Sequence, residues 1–317
     1  MSAGPGELSE VPELHGLALS RAELDRATAR RGDTEWLAAA WADPRTRVVV
    51  IEDGRALVRS GPGTEELVFV PPAQAPEGVR FMLGVAADGT VYFGVAGPLA
   101  RAEDGAGRPA GARPVSLREA GPHLSDRDVG LMTHAVGLAN WHAVHRHCPR
   151  CGAVTAPEQA GHSRRCPVDG SEHFPRLDPA VIMLVTDPDD RCLLARNAQW
   201  PERRVSILAG FVEPGESAEQ AVAREVLEET GICVVGARYV GSQPWPMPHS
   251  LMLGFRARAT GSLQIVVDSE EIAEARWFSR DELRASVASG EIRLPPPVSI
   301  AHRIIESWYG SDLGGAW

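Results

Sequence analysis

The chain has 317 residues, of which 44% are hydrophobic, and its formal net charge is −10. This length accommodates about two domains with sizeable cores. The excess of negative charge argues against a generic binder of nucleic acid or membrane surfaces. We expect no secretory signal and no membrane-spanning segment, because no apolar run reaches the ~20 residues that cross a bilayer. Five cysteines, three of them in metal-site spacing, favour a reduced, cytoplasmic setting.

The first 145 residues have the pattern of an α+β domain. After an irregular lead-in, Ser20 and Glu23 form a helix-capping pair, which predicts a helix running to about Ala40. Short β-like runs follow, separated by turn-forming pairs such as Asp88-Gly89. The runs are Arg47–Ile51, Ala56–Arg59, Glu66–Val70, Val79–Ala86 and Thr90–Ala96; a loop over 101–113 and a helix over 125–145 complete the domain.

Residues 146–174 carry the spacing of a small zinc ribbon. Cys148 and Cys151 are separated by two residues, and Cys166 follows after fourteen more. Such spacing suits a structural zinc ion, which is bound by four protein ligands. Asp169 stands at the fourth position of the pattern, and His173 is the alternative ligand; the sequence leaves this choice open. The neighbouring histidines are interpreted as surface or packing residues; they are His134, His142, His145 and His147.

Residues 175–317 predict a second α/β module. Cys192 and Cys233 fall in apolar strand-like contexts and are predicted to be buried thiols. The predicted strands are Asp178–Val185, Arg191–Arg196 and Cys233–Val240, and Val205–Leu208 leads into the segment that starts at Gly210. Helices are predicted at about Arg280–Ala288 and at Ile300–Trp308, the second after the extended segment Leu294–Pro297.

The segment Gly210–Ile232 concentrates acidic residues around one amphipathic helix. Ser217 and Gln220 form a capping box, which predicts a helix starting near Ala218 and ending at Gly231. The apolar stripe is predicted to be Val222, Ala223, Val226, Leu227 and Thr230, with Glu225, Glu228 and Glu229 on the other side or flank. Because these carboxylates repel one another, a divalent cation between them is expected, and oxygen ligands favour Mg²⁺ or Mn²⁺.

The segment Ser242–Ser250 contains three prolines and a tryptophan in nine residues. Its composition excludes a helix and disfavours a central strand. Two interpretations stay open. The segment is either a rigid surface loop, or a preorganised wall, with Gln243 as its polar group, for a flat aromatic ligand.

These motifs together resemble the NADH pyrophosphatase family of Nudix hydrolases. The Nudix box G-x5-E-x7-R-E-U-x-E-E-x-G-U is matched at Gly210, Glu216, Arg224, Glu225, Val226, Glu228, Glu229, Gly231 and Ile232. Ser242–Ser250 is similar to the S-Q-P-W-P-F-P-x-S array of that family, except that Met247 replaces an aromatic residue. Asp169 is the second departure, since it replaces a ribbon cysteine.

The resemblance implies an α+β N-terminal domain, a small zinc ribbon and a C-terminal Nudix fold, in which helices sandwich a mixed sheet. It implies a homodimer in which Phe211 forms half of an adenine clamp and Phe174 of the second subunit forms the other half. The implied metal ligands are Glu225, Glu228, Glu229, the carbonyl of Ala209 and Glu271, with Glu270 as the second choice for the last. Arg224 is implied to orient a box glutamate. Further implied substrate contacts are Gln243, Pro244, Trp245, Pro246, Met247, Pro248, His249, Ser250, Ala301 and Arg118.

The predicted function is metal-dependent hydrolysis of the pyrophosphate of NADH or NAD⁺, giving AMP and nicotinamide mononucleotide. Bound divalent ions would clamp the pyrophosphate and lower the pKa of an attacking water. Removal of an NAD cap from RNA 5′ ends breaks the same bond and is included. The alternatives are hydrolysis of ADP-ribose or dinucleoside polyphosphates, and a non-catalytic NAD-sensing or ribbon interaction module.

Overall fold

The computed structural model describes residues 13–61, 63–100, 108–267 and 269–311. Its contacts divide the chain into two units. Unit 1 consists of residues 1–18, 178–243 and 251–317, and unit 2 of residues 19–177 and 244–250. The predicted boundaries at 145/146 and 174/175 stay a prediction, since this division groups the ribbon with the N-terminal segment. The first twelve residues of the predicted lead-in (residues 1–20) and part of the predicted loop (101–107) lie outside the described residues.

Unit 2 is built from three-stranded sheets and helices. One sheet has the order β1-β5-β4 with β1 parallel to β5, a second has the order β3-β2-β6, and the ribbon sheet has the order β7-β8-β9. The elements are α1 (Thr34–Ala42), β1 (Arg47–Ile51), β2 (Arg55–Ser60), β3 (Glu65–Leu67), β4 (Val79–Val85), β5 (Val91–Ala96), β6 (Arg113–Ser116), α2 (Leu117–Ala120), α3 (Asp126–Val144), β7 (Ala156–Glu158), β8 (Ser163–Arg165) and β9 (Glu172–His173).

The first helix differs from its prediction. Helix α1 begins at Thr34, where the Asp33 side chain accepts a hydrogen bond from Trp36 N, instead of at Ser20. The backbone of Asp25 pairs in both directions with Val85 of β4, at 3.1 and 2.8 Å. A helix through this segment would need those same N–H and C=O groups, so the bridge to β4 excludes it. The predicted strand Glu66–Val70 is also shorter, because β3 ends at Leu67.

Unit 1 contains one six-stranded sheet and three helices among its described residues. The strand order is β13-β14-β10-β11-β15, and β12 pairs antiparallel with β10. The elements are β10 (Asp178–Thr186), β11 (Cys192–Asn197), β12 (Leu208–Phe211), α4 (Ala218–Thr230), β13 (Cys233–Trp245), β14 (Ser250–Thr260), β15 (Ile272–Phe278), α5 (Arg280–Ala288) and α6 (Ile300–Tyr309).

Helices cover both faces of this sheet. Along β10 the side chains alternate between the faces, as the two-residue period of a strand requires. Val181 and Met183 pack in the same cluster as Val222 of α4, whereas Leu184 packs with Ile304 of α6. The predicted α-β-α arrangement is therefore confirmed. Among the described residues, no helix has the length and apolar character that crossing a membrane requires.

Two predictions in unit 1 need correction, the end of one strand and the burial of one cysteine. Strand β13 does not end at Val240 but continues through Pro244 to Trp245, and β14 starts at Ser250, so the proline-rich segment forms the end of a hairpin. A proline is tolerated there because β13 is at the edge of the sheet, where a missing N–H breaks no central ladder. Cys192 is buried as predicted, whereas Cys233 is exposed because it is the first residue of the edge strand.

Three histidines of unit 2 are held in their neutral form. Burial is the main cause that lowers the pKa of His142 and of His162 from 6.5 to about 4. Burial also lowers the pKa of His134 well below its ordinary value. His142 Nε2 lies 2.8 Å from the Gly161 carbonyl, and its Nδ1 accepts from the buried Arg164 guanidinium at 2.9 Å. This geometry requires the neutral Nε2–H tautomer of His142, in agreement with the prediction that His142 is a packing residue.

These pKa values predict loss of stability in acid. Because folded His142 and His162 bind protons less readily than the unfolded chain, their contribution is complete above about pH 6.5 and decreases as pH falls towards 4. Each group contributes about 1.4 kcal/mol per unit of pKa difference. Urea unfolding of the full chain between pH 7.5 and 4.5 measures this slope. We expect His142→Gln to reduce the slope and the exposed control His123→Gln to leave it unchanged; equal slopes would contradict the prediction.

Candidate active site

Helix α4 forms as its local sequence predicts. Ser217 Oγ accepts a hydrogen bond from Gln220 N at 3.2 Å, and Gln220 Oε1 accepts one from Ser217 N at 2.9 Å. This capping box satisfies two of the backbone N–H groups at the N-terminus of the helix that have no partner within the helix itself. Gly231 ends the helix with φ of 70°, in the left-handed region that favours glycine.

The buried face of α4 differs from the predicted stripe. Leu227 is 48% exposed and Ala223 is also exposed, whereas two acidic residues, Glu225 and Glu229, are buried. The buried positions follow two i, i+4 rows, which share one face of a helix. These rows are Ala221, Glu225 and Glu229, and Val222, Val226 and Thr230. The helix therefore places two carboxylates at the border of the core.

The carboxylates on and near α4 crowd one another. Burial, followed by the charges of Glu225, Glu271 and Glu228, raises the pKa of Glu229 to about 8. Burial likewise raises the pKa of Glu225, although Arg224 opposes this shift. The Glu229 Oε2 atom is buried and has no hydrogen-bond partner. A buried carboxylate oxygen without a partner is costly and calls for a cation.

Strand β12 leaves space for one of these carboxylates. A Cβ atom added to Gly210 would lie 1.9 Å from Glu225 Cδ and 2.0 Å from its Oε1, so the absence of a side chain at Gly210 is required. Ala209, the adjacent residue, is exposed and pairs with Ile182 of β10. The Glu225 carboxyl group is thus seated against the backbone that carries the Ala209 carbonyl.

This close approach makes Gly210→Ala a sharp test of the site. The added methyl group has to displace the Glu225 carboxylate, and we expect kcat to fall by about a hundredfold, the typical effect of a displacement near 1 Å at a reacting centre. Steady-state kinetics with thermal unfolding as a fold check measure this. Gly32→Ala is the matched control, since its new Cβ would meet Gln159 at an ordinary 3.5 Å. Normal turnover by Gly210→Ala would show that the position of Glu225 does not matter.

Arg224 joins the residues of the box. Its Nε and Nη2 donate to the two carboxylate oxygens of Glu216 at 2.8 Å each, and Nη2 also donates to the Phe211 carbonyl at 2.9 Å. Nη1 donates to Glu225 Oε1 at 2.8 Å and to Glu228 Oε2 at 3.1 Å. The bonds from Arg224 to Glu216 are the main cause that lowers the pKa of the Glu216 carboxyl group to about 2. The fork geometry of the guanidinium makes Arg224 an orienting group, as the sequence implied.

The donor set fits a divalent cation such as Mg²⁺ or Mn²⁺. The site offers four carboxylates, one of them with a buried oxygen that has no hydrogen-bond partner among the described residues, and the backbone of the exposed residue Ala209 lies beside them. Glu271 is placed with the box glutamates, since its charge acts on both Glu225 and Glu229. Within the described ranges, only the ribbon cluster brings three or more ligand atoms within 4.8 Å of one another. The carboxylates of α4 and Glu271 are spaced more widely than the ribbon ligands. Such spacing suits Mg²⁺, which keeps waters and phosphate oxygens among its ligands.

The ribbon ligands converge as predicted. The ligand atoms of Cys148, Cys151, Cys166 and Asp169 all lie within 4.8 Å of one another. The Cys151 and Cys166 sulfurs are 3.4 Å apart, and Cys148 Sγ is 3.4 Å from Asp169 Oδ2. Three sulfurs and one carboxylate oxygen fit a structural zinc ion.

His173, the alternative ligand, is held by Ser171. The Ser171 hydroxyl donates to Asp169 Oδ1 at 2.6 Å and lies 3.0 Å from His173 Nε2. Since the single hydroxyl proton goes to Asp169, His173 Nε2 has to donate to Ser171 Oγ. That nitrogen is then unavailable to a metal. The geometry therefore favours Asp169.

The residues assigned to substrate binding are placed in different ways. Phe211 is 58% and Phe174 67% exposed, so both rings have a free surface. Gln243, in contrast, is fully buried. Its side chain points from β13 into unit 1, where its Nε2 donates a hydrogen bond to the Val298 carbonyl at 2.9 Å. Ala301 is 1% exposed, since it lies on the apolar face of α6. Neither buried residue offers a ligand-contacting surface in this structure, which departs from the expectation.

The comparisons with known proteins agree with this organisation. Residues 176–296 match the NUDIX domain, 143–174 the NADH pyrophosphatase zinc ribbon domain and 45–141 the NADH pyrophosphatase-like rudimentary NUDIX domain. The chain is 45% identical over 305 residues to the NAD-capped RNA hydrolase NudC of Mycobacterium bovis (strain BCG / Pasteur 1173P2), which covers 92% of this chain and 94% of the relative. The chain belongs to the NADH pyrophosphatase family of Nudix hydrolases.

A more distant relative extends the same likeness. The NAD-capped RNA hydrolase NUDT12 of Homo sapiens is 34% identical over 347 residues, covering 95% of this chain and 74% of the relative. The resemblance read from the Nudix box, the proline array and the ribbon is thereby confirmed. As a Nudix hydrolase of this family, the chain combines the rudimentary domain and ribbon in unit 2 with the box helix in unit 1.

Proposed function

We propose that this chain hydrolyses the diphosphate of NAD(H) to nicotinamide mononucleotide and AMP. With NAD at the 5′ end of RNA, the same cleavage releases nicotinamide mononucleotide and leaves a 5′-monophosphate on the RNA. One observation carries the chemistry. Glu229 is buried with an unpartnered oxygen among the carboxylates of Glu225, Glu228 and Glu271, which is an arrangement built for a cation. The choice of substrate is supported by relatives named NAD-capped RNA hydrolases at 45% identity over nearly their whole length.

The chain's own residues would hold and orient the reacting groups. Glu225, Glu228, Glu229, Glu271 and the Ala209 carbonyl would bind Mg²⁺ or Mn²⁺, which supplies positive charge to the diphosphate and makes a bound water more acidic. Arg224 keeps the Glu225 carboxylate in place and ties it to Glu216. Gly210 lets that carboxylate lie against β12. This rigidity limits the reorganisation needed when charge develops on the phosphate oxygens.

Substrate recognition is proposed for the exposed aromatic rings and the proline array. Phe211 directly follows Ala209 and Gly210 in the chain, and its exposed ring is available to stack on the adenine. Phe174 of a second subunit would complete the clamp in a homodimer. The array residues Pro244–Ser250 and Arg118 would contact the dinucleotide. Gln243 and Ala301 are buried and would act indirectly, Gln243 by stabilising the array and Ala301 by stabilising α6.

Two further assignments complete the proposal. Zinc would be bound by Cys148, Cys151, Cys166 and Asp169 and would hold the ribbon together without taking part in catalysis. A reducing, cytoplasmic setting is proposed because all five cysteines are free thiols.

The test is a comparison of kcat/KM for NADH, NAD⁺, ADP-ribose and a dinucleoside polyphosphate with Mg²⁺ or Mn²⁺, with product identification. NAD-capped RNA and the same RNA with a 5′ triphosphate form a matched pair. We expect AMP and nicotinamide mononucleotide from NAD(H), and decapping of the NAD-capped RNA alone. A clear preference for ADP-ribose or the polyphosphate would replace this proposal with the alternative substrate.

A further inference from the structure

The turn at the end of the β13–β14 hairpin has few backbone hydrogen-bond donors of its own. Pro244, Pro246 and Pro248 have no backbone N–H, so nearly half of the seven residues from 244 to 250 cannot donate. Within the turn, Met247 N donates to the Trp245 carbonyl at 2.7 Å. The carbonyl groups of Pro246 and Pro248 therefore need donors from elsewhere in the fold.

One side chain of helix α3 supplies these donors. Asn140 Nδ2 donates to the Pro246 carbonyl at 2.7 Å and is 3.4 Å from the Pro248 carbonyl. An amide nitrogen carries two hydrogens, so one group serves both carbonyls. Pro246 is buried and Asn140 is half-buried, so the shorter bond is shielded from competing water. Asn140 is 106 residues from Pro246 in sequence and belongs to no motif.

A second contact holds the same turn from α2. The Arg118 guanidinium lies 5.3 Å from the centre of the Trp245 ring, within the range of a cation–π interaction. Asn140, Arg118 and the turn all belong to unit 2. The turn is thus held by its side chain at Trp245 and by its backbone at Pro246 and Pro248.

We infer that Asn140 is a positioning residue that sets the conformation of the Trp245–Pro248 turn and, through it, the affinity for the dinucleotide. The inference rests on the proposed function, in which this turn contacts the substrate. It also assigns a task to the rudimentary domain, which supplies the helix that holds a specificity element. Because the hydrogen bonds of Asn140 go to the backbone of the turn, its effect is expected on substrate binding and not on the chemical step.

Two substitutions separate the hydrogen bond from the packing. Asn140→Ala removes the side chain, whereas Asn140→Asp keeps its size but replaces the donor with an oxygen that repels the two carbonyls. We expect both to raise KM for NADH about fivefold to tenfold, equivalent to losing about one hydrogen bond, with kcat within about twofold. Val144→Ala, at a 70% exposed position on the same helix, is the control and keeps the wild-type KM. Thermal unfolding shows whether each variant is folded.

Hydrogen exchange gives a readout that does not depend on activity. In the Asn140 variants, deuterium uptake should increase in peptides covering residues 244–250 and stay unchanged in peptides of α4. An unchanged KM and unchanged exchange in Asn140→Asp would overturn the inference. A fall in kcat without a change in KM would overturn it as well. Failure of the proposed function looks different, because the wild-type chain itself would then not hydrolyse NADH.

Discussion

Replacing Glu229 with glutamine is expected to lower kcat roughly a thousandfold, which corresponds to about 4 kcal/mol of lost transition-state stabilisation. Glutamine keeps the size of the side chain and one carbonyl oxygen but removes the negative charge. Glu229 is the most buried acidic residue of α4, and its Oε2 has no hydrogen-bond partner among the residues that the structure describes. Its charge is therefore available to a cation.

The same substitution should not reduce the stability of the metal-free protein. Burying a carboxylate beside Glu225, Glu228 and Glu271 is unfavourable, and the neutral amide relieves this repulsion. We expect the free energy of unfolding without metal to be equal to or higher than that of the wild type. Adding Mg²⁺ should then raise the unfolding temperature of the wild type more than that of the variant.

The matched control is Glu219→Gln, an exposed glutamate in the first turn of the same helix. It should change neither kcat nor the stabilisation by Mg²⁺. NADH turnover and thermal unfolding, each with and without Mg²⁺ or Mn²⁺, give the four comparisons. Near-normal kcat in Glu229→Gln would contradict the assignment of the catalytic site, whatever its stability.

Loss of the ribbon metal is expected to have the largest effect on stability. Cys166 is 1% exposed, and its sulfur lies among the other three ligand atoms, so Cys166→Ser should abolish tight zinc binding. Zinc binding by small ribbons and fingers is worth about 10 kcal/mol or more in folding free energy. At about 2–4 °C per kcal/mol for a unit of 150–250 residues, we expect the unfolding midpoint of the full chain to drop by roughly 20 °C or more.

A pair of substitutions tests the fourth ligand. Asp169→Ala should lower zinc affinity strongly, whereas His173→Ala should keep one zinc ion per chain, since His173 Nε2 is taken up by Ser171 and Asp169 completes the cluster of ligand atoms. Zinc content after dialysis against a competing chelator, together with thermal unfolding, measures both. Loss of zinc from His173→Ala with retention by Asp169→Ala would reverse the assignment.

Local sequence signals predicted those parts of the site in which the interacting residues are close to one another in the sequence. The capping box at Ser217 and the glycine at Gly231 set the ends of α4, because the groups that satisfy a helix end lie within four residues of it. Arg224, Glu225 and Glu228 share one helix and could be placed by spacing alone. The ribbon cysteines are a similar case, since two short knuckles bring their sulfurs together.

The predictions that were wrong depended on partners far away in sequence. The Ser20 capping pair was overridden when Asp25 paired with β4. Leu227 follows the helical spacing of the apolar residues in α4 but is exposed, because the sheet packs against a neighbouring face of that helix. Gln243 was interpreted as a ligand-facing group, yet its partner is the Val298 carbonyl, 55 residues away. Pattern alone cannot reveal such partners.

The sequence by itself determined the family, the Nudix box chemistry and the three ribbon cysteines, since these depend on residue identity and short spacing. The tertiary structure decided which carboxylates are buried, that Glu271 acts on the Glu225 and Glu229 pair, and that Gly210 makes room for Glu225. It also decided that Asn140 holds the proline turn. Burial and long-range hydrogen bonds arise only when distant segments pack, and these are the terms that set pKa values and side-chain orientation.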